Sequence, residues 1–174
     1  MKVAVTSLLL VSLFICSCKH SKQEMILGEW RGVNFENPEM DSFFNKSQQY
    51  IDTIGKNGNP ATNLELYGAT NMDSIRNILQ QEHDSTKMLQ LNAVKNTVFT
   101  FMKDSIVVIS FDGRMDTSKW RFENEHSLVM EELTGNSKGS KTTMDIVSLT
   151  DKELTLKFIQ ENTYSTVTFN KGKN

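Results

Sequence analysis

From Thr97 to Lys171 the chain alternates apolar and polar residues, and turn residues break the pattern at short intervals. In Thr97 to Lys103, Phe99 and Phe101 fall on one face and Val98, Thr100 and Met102 on the other, the period-two signal of a strand with one buried face. Ile106 to Phe111 repeats it with Val107, Ile109 and Phe111 in phase. Asp112-Gly113 follows, and it suits a tight hairpin because both central residues must reach positive φ. Met115 to Glu123 sets Trp120 and Phe122 opposite Lys119, Arg121 and Glu123. His126 to Leu133 reads as a further strand, Gly135 to Lys141 as a loop, and Thr142 to Leu149 as a strand with Met144 and Ile146 in phase. Beyond Thr150-Asp151, Leu154, Leu156 and Phe158 alternate with Thr155, Lys157 and Ile159. Beyond Glu161-Asn162, Tyr164 to Asn170 carries Val167 and Phe169 in phase.

Seven strands joined by short links should lie as antiparallel neighbours. An eighth is available upstream in Met25 to Phe35, MILGEWRGVNF, where Gly28, Trp30 and Gly32 flank a large ring with small residues and Ile26 and Leu27 can enter a barrel end. The expected fold is therefore mainly β with a helical insert. It is an eight-stranded antiparallel up-and-down barrel, which removes the exposed edges of an open meander. The alternative is an α+β fold with an open meander packed on helices. Pairing between the strand of Trp30 and the last strand decides between them.

The insert spans residues 37–95. Asn37-Pro38-Glu39 reads as a helix start, with a capping side chain, Pro at the first helical position and an acid in the first turn. Met40, Phe43, Phe44, Ser47, Tyr50, Ile51 and Ile54 recur at helical spacing. Gly55 to Pro60 ends that helix, and Asn63 to Tyr67 is ambiguous. Asn71 caps a second helix with Ile75, Ile78 and Leu79 in phase, running on to Leu91 after a break near His83-Asp84-Ser85. Two apolar stripes need burial, and a helix pair over one barrel end is the simplest solution. No internal repeat or low-complexity segment is present.

The N-terminal residues change the picture of where the domain works. Lys2 followed by the apolar run Val3 to Ile15 reads as a secretion signal over residues 1–17, too short to span a bilayer as a helix. Cys16 and Cys18 follow at once, and the segment resembles a bacterial lipoprotein signal. The small Ser17 favours Cys18 as the lipidated residue, with Cys16 as the alternative. Both cysteines of the chain lie here, so the domain beyond has no disulfide framework. Residues 18–25 form a polar tether and residues 26–174 a single domain. The acidic run that follows the Cys in some surface-exported Bacteroidetes lipoproteins is missing. The expected location is the cell envelope, lipid-anchored on the outer membrane and facing the periplasm. A net charge of −2 argues against nucleic acid as a partner.

Gly28-x-Trp30 near the mature N-terminus, a meander ending in LTDKELTLKF, and the stretch SFDGRMDTSKWRFENEHSLVMEE together resemble the lipocalin-like lipoproteins of Bacteroidetes. The resemblance covers Leu27–Phe35 and Asn96–Lys171. It implies that Gly28 and Trp30 close one barrel end, with a cation over the Trp ring. The last two strands hold no Arg, which leaves Arg121 or Lys171 for that place.

Catalytic chemistry is sparse. His20, His83 and His126 form no pair with metal-ligand spacing, so no metal and no cofactor are expected. Glu131 and Glu132 are adjacent in a strand and point to opposite faces. Asp41 and Asp52 share one helix face and are expected to be solvated. Gly135 to Thr142 lacks phosphate-loop spacing and joins two strands. No Ser sits in a nucleophile elbow. The expected function is non-enzymatic: binding of a small apolar or amphipathic ligand inside the barrel. The candidate lining, or core, is Phe99, Phe101, Val107, Ile109, Phe111, Trp120, Phe122, Leu156 and Phe158. On that expectation Phe101→Asp abolishes binding. The alternative is a filled barrel that serves as an envelope interaction module for a protein or glycan. The protein partner is not specified by the sequence.

Overall fold

The computed structural model describes residues 21–135, 137–160 and 162–172. Eight strands close into one antiparallel barrel in sequence order. They are β1 (Gly28–Glu36), β2 (Val98–Phe101), β3 (Ile106–Phe111), β4 (Arg114–Asn124), β5 (Ser127–Glu132), β6 (Lys141–Leu149), β7 (Glu153–Gln160) and β8 (Thr163–Lys171). The pairing that closes the ring is β1 with β8, from Trp30 opposite Lys171 to Glu36 opposite Thr166. That pairing excludes the open meander. The β3–β4 hairpin turns at Asp112 (φ 48°) and Gly113 (φ 76°), the two positive angles that a tight hairpin needs.

Inside the barrel, Trp30, Phe99, Phe101, Val107, Trp120, Leu128, Met130, Met144, Ile146, Leu154, Leu156, Val167 and Phe169 form one buried cluster. The Phe99 ring lies 4.8 Å from that of Phe169, tilted by 41°, and 6.1 Å from that of Phe101. In β5 the run Leu128-Val129-Met130 is buried throughout, because outward-facing Val129 lies between Arg121 and Thr143 of the flanking strands.

The barrel ends differ. One carries the β2–β3, β4–β5 and β6–β7 turns and a short helix, α1 (Lys22–Ile26). Ser21 caps α1 reciprocally with Glu24, and Ile26 enters the core fully buried. Residues 22–25 are thus a capped helical turn rather than the expected polar tether. The apolar Ile26 at its end supplies the burial that holds it.

The other end carries the insert, which contains three helices: α2 (Pro38–Thr53), α3 (Pro60–Tyr67) and α4 (Met72–Lys95). Asn37, Asn59 and Asn71 cap them, with Pro at the start of the first two. α4 runs unbroken through His83-Asp84-Ser85, where a break was expected, because His83 is buried against α2 and its Nε2 donates to the Phe44 carbonyl (3.3 Å). Gln48 and Gln80 exchange amide hydrogen bonds between the two helices (2.8 and 3.2 Å). Asn37 ties α2 to the barrel, with its Oδ1 accepting from Met40 N and its Nδ2 donating to fully buried Ser165 (2.9 Å each).

Candidate functional site

The last turn of α4 crosses the helical end of the barrel. Gly32 permits it: a Cβ there would stand 2.2 Å from the Val94 carbonyl oxygen, so only glycine lets the helix come this close. Gly32 N donates to Thr97 O (2.9 Å), fixing the junction of α4 and β2 on β1. Under this turn lies a cavity of about 380 Å³, open to one side. Its walls are Ala93, Val94 and Gln90 of α4, Thr97, and the barrel residues Phe35, Phe99, Ile109, Phe111, Met144, Phe158, Val167 and Phe169. Only Gln90 and Thr97 bring polar side-chain atoms, and the Thr97 hydroxyl donates to the Ala93 carbonyl (2.9 Å). The result is an apolar pocket of ligand size with the Gln90 amide at its edge.

The expected lining residues separate by depth. Phe99, Ile109, Phe111 and Phe158 line the cavity. Phe101, Val107 and Leu156 lie below it in the packed core, at 2 % exposure or less. Trp120 and Phe122 sit toward the opposite end, where they face a cleft of about 450 Å³ with Leu27 and Lys103. The Trp120 Nε1–H donates there to the Met102 carbonyl (3.3 Å). Alternation along a strand tells inside from outside but not depth along the axis, so it could not divide this set. Phe35, Gln90, Ala93, Val94, Thr97, Met144, Val167 and Phe169 complete the lining; the small Gly32 in the middle of β1 was the sequence signal for the helix residues.

A second hollow, a groove of about 490 Å³, flanks the same helix between α2, α4 and β1. Asn34, Phe35, Asp41, Phe44, Asp84, Lys87, Met88, Gln90, Leu91 and Val94 line it. Lys87 Nζ lies 5.6 Å from the centre of the Phe44 ring.

At the closed end, Trp30 is fully buried and its Nε1–H donates to the Ile26 carbonyl (2.6 Å). Lys171 stands over the ring at 5.0 Å and donates to the Met25 carbonyl (2.7 Å). Of the two cations open for that position, the structure places Lys171. Gly28 adopts φ 109°, and a Cβ on it would touch the Lys171 stem at 3.5 Å. Cys16 and Cys18 lie outside the described residues.

Among the described residues no group of three or more His, Cys, Asp or Glu could hold a metal ion. His126 lies in the β4–β5 turn, its N–H donating to Asn124. Glu131 pairs with Lys141 across the strands (3.6 Å), while Glu132 accepts from Ser140 (3.4 Å). Asp41 and Asp52 part company: Asp41 lines the groove, and Asp52 accepts from Gln48 (3.1 Å). Nothing in this inventory joins a nucleophile, a base and an orienting group.

No protein-family model matches the sequence. No curated protein matches it either. Among solved structures, a DUF4847 family protein from Bacteroides vulgatus is similar over 88% of this chain and 98% of that one, at a TM-score of 0.46 and 12% identity. That likeness is too remote to carry family or function.

Proposed function

We propose that this chain is a lipid-anchored, lipocalin-like protein of the cell envelope that holds a small apolar or amphipathic molecule in the barrel-mouth cavity. The observation that supports it is the apolar cavity of about 380 Å³ beneath α4, in a barrel whose other end is packed shut. An interior evolved only for packing would close such a space, since unfilled apolar volume destabilises.

The anchor fits this reading. The described chain begins at Ser21 on the closed end, three residues after Cys18. A span of three residues reaches roughly 10 Å at most. A lipid on Cys18 therefore sets the closed end toward the membrane and the mouth away from it. The missing acidic run after Cys18 favours the periplasmic face of the outer membrane.

Native mass spectrometry of the protein purified from its own envelope tests both parts. The expected spectrum shows an acyl mass on Cys18 and a reproducible non-covalent apolar adduct. A lipidated protein that is always empty, and takes up no apolar probe, removes the ligand reading. A second reading, an interaction module for a protein or glycan, draws on Phe43, Tyr50, Met88 and Leu89 of the insert, each more than half exposed. Crosslinking from these positions in the envelope tests it.

A further inference from the structure

One residue in the roof of the mouth cavity runs against the pattern of its helix. Gln90, Ala93 and Val94 stand at i, i+3 and i+4 of α4, so a single helix face carries all three over the barrel. On either side of Gln90 the helix turns leucines toward water, Leu89 at 70% exposure and Leu91 at 40%. Burial for packing alone selects the reverse order, with leucine over the cavity and glutamine outside. A primary amide held over an apolar space offers two donors and an acceptor to the molecule that fills it.

The rest of the lining limits what that molecule carries. Thr97, the other polar side chain, is committed to the Ala93 carbonyl (2.9 Å). Among the described residues no charged side chain lines the cavity; Asp41, Asp84 and Lys87 line the groove instead. A carboxylate or ammonium drawn up to Gln90 would shed water with no counter-charge to receive it. A neutral hydroxyl, carbonyl or amide exchanges its water for the Gln90 amide at little loss.

We propose that the ligand is an uncharged amphiphile, a long-chain alcohol, ester or amide, whose one neutral polar group hydrogen-bonds Gln90 while its hydrocarbon fills the cavity. This rests on the reading of the cavity as a ligand site. An ionised head stays in water at the open side and holds its chain back from the cavity. Each methylene left outside lowers affinity about fourfold, so a chain withdrawn by two methylenes binds at least about tenfold more weakly.

Isothermal titration of the purified processed protein, freed of non-covalent adducts, tests the proposal with decanol, decanoate and decylamine at neutral pH, where the last two are ionised. All three are kept below their aggregation thresholds. Decanol should bind tightest, by about tenfold or more. Gln90→Leu should weaken decanol about fivefold, the worth of one neutral hydrogen bond, and leave the two ions unchanged. Gln90→Glu places a counter-charge at the head position and should raise decylamine to the affinity of decanol or above it. Val167→Phe, which fills the cavity, should weaken decanol in every background. Equal affinity of the three probes, or a preference of the parent protein for either ion, overturns the uncharged class and leaves the cavity reading standing. A decanol preference that survives both Gln90→Leu and Gln90→Glu overturns the placement of the head at Gln90. Decanol binding untouched by Val167→Phe lies outside the cavity and overturns the proposal. Binding of none of the three defeats the cavity reading and this inference with it.

Discussion

Gly32 of β1 lies directly beneath Val94 of α4, close enough that a Cβ would be 2.2 Å from the Val94 carbonyl oxygen and 3.3 Å from its side chain. This approach makes the roof of the cavity: it brings Gln90, Ala93 and Val94 over the barrel mouth. The obstacle to a larger residue is backbone, which cannot swing aside as a side-chain tip can. Gly32→Ala should therefore lift the end of α4 from the barrel. The expected cost is about 1–3 kcal/mol, the range for overpacking a fitted contact. Denaturant unfolding measures it. Hydrogen exchange should quicken at the end of α4 and at Gly32 N–H, which bonds Thr97 O, and not at Trp30. An unchanged midpoint would mean that α4 does not rest on β1 in solution.

Asn37 does two jobs with one amide. Its oxygen caps α2 and its nitrogen bonds Ser165, which is wholly buried in β8. Asn37→Ala removes the cap and leaves the Ser165 hydroxyl without this partner, at an expected cost of about 1–3 kcal/mol. Asn37→Asp keeps a capping oxygen, and the Ser165 hydroxyl can turn to donate to it, so much of the loss should be recovered. If Asn37→Ala and Asn37→Asp prove equally damaging, the capping account is wrong.

The closed end rests on three linked groups. Trp30 donates to Ile26, Lys171 donates to Met25, and the Lys171 ammonium lies over the Trp30 ring. Trp30→Phe keeps most of the ring but leaves the Ile26 carbonyl unpaired in the core, at an expected cost of about 1–3 kcal/mol. Lys171→Met gives up the carbonyl bond and the cation–π contact, at about 1–2 kcal/mol. Because both act on α1, the double substitution should cost less than the sum of the singles. Additive losses in chemical denaturation would show that the two residues do not share α1.

The barrel was legible in the sequence because each hairpin announced itself by alternation and turn chemistry, and the lone strand with Trp30 supplied the missing eighth member. Its closure follows from the same pattern: an open meander with Leu154, Val167 and Phe169 in phase would leave unpaired edges. Three features were out of reach for physical reasons. The alternation of Phe99 with Phe101 assigns both to the inside, yet one lines the cavity and the other is packed beneath it, since period two carries no coordinate along the barrel axis. Leu128-Val129-Met130 reads as a plain apolar run, because burial of outward-facing Val129 erases the alternation. The continuity of α4 across His83 depends on a tertiary bond to the Phe44 carbonyl, which local propensity cannot register. The groove escaped notice for a related reason: Asp41 and Asp84 lie on different helices, and only the hairpin geometry of the insert faces them into one space.

A cavity that serves a ligand should respond differently to substitution at its wall and below its floor. Phe101 is 2 % exposed and outside the lining, so Phe101→Asp buries a charge among Phe99, Val107 and Trp120 and should unfold the protein. Loss of binding in that variant carries no information about a pocket. Val167 lies in the wall, with space in front of it. Val167→Phe places the added ring in empty volume, so the unfolding free energy should change by less than about 1 kcal/mol or rise. Affinity for an apolar probe should meanwhile fall at least about tenfold, because the chain loses several buried methylenes at ~0.8 kcal/mol each. Thermal unfolding and probe titration on the same sample separate the two quantities. A variant that is as stable as the parent and binds as tightly would place the ligand elsewhere on the molecule, and the exposed face of the insert would become the surface to test.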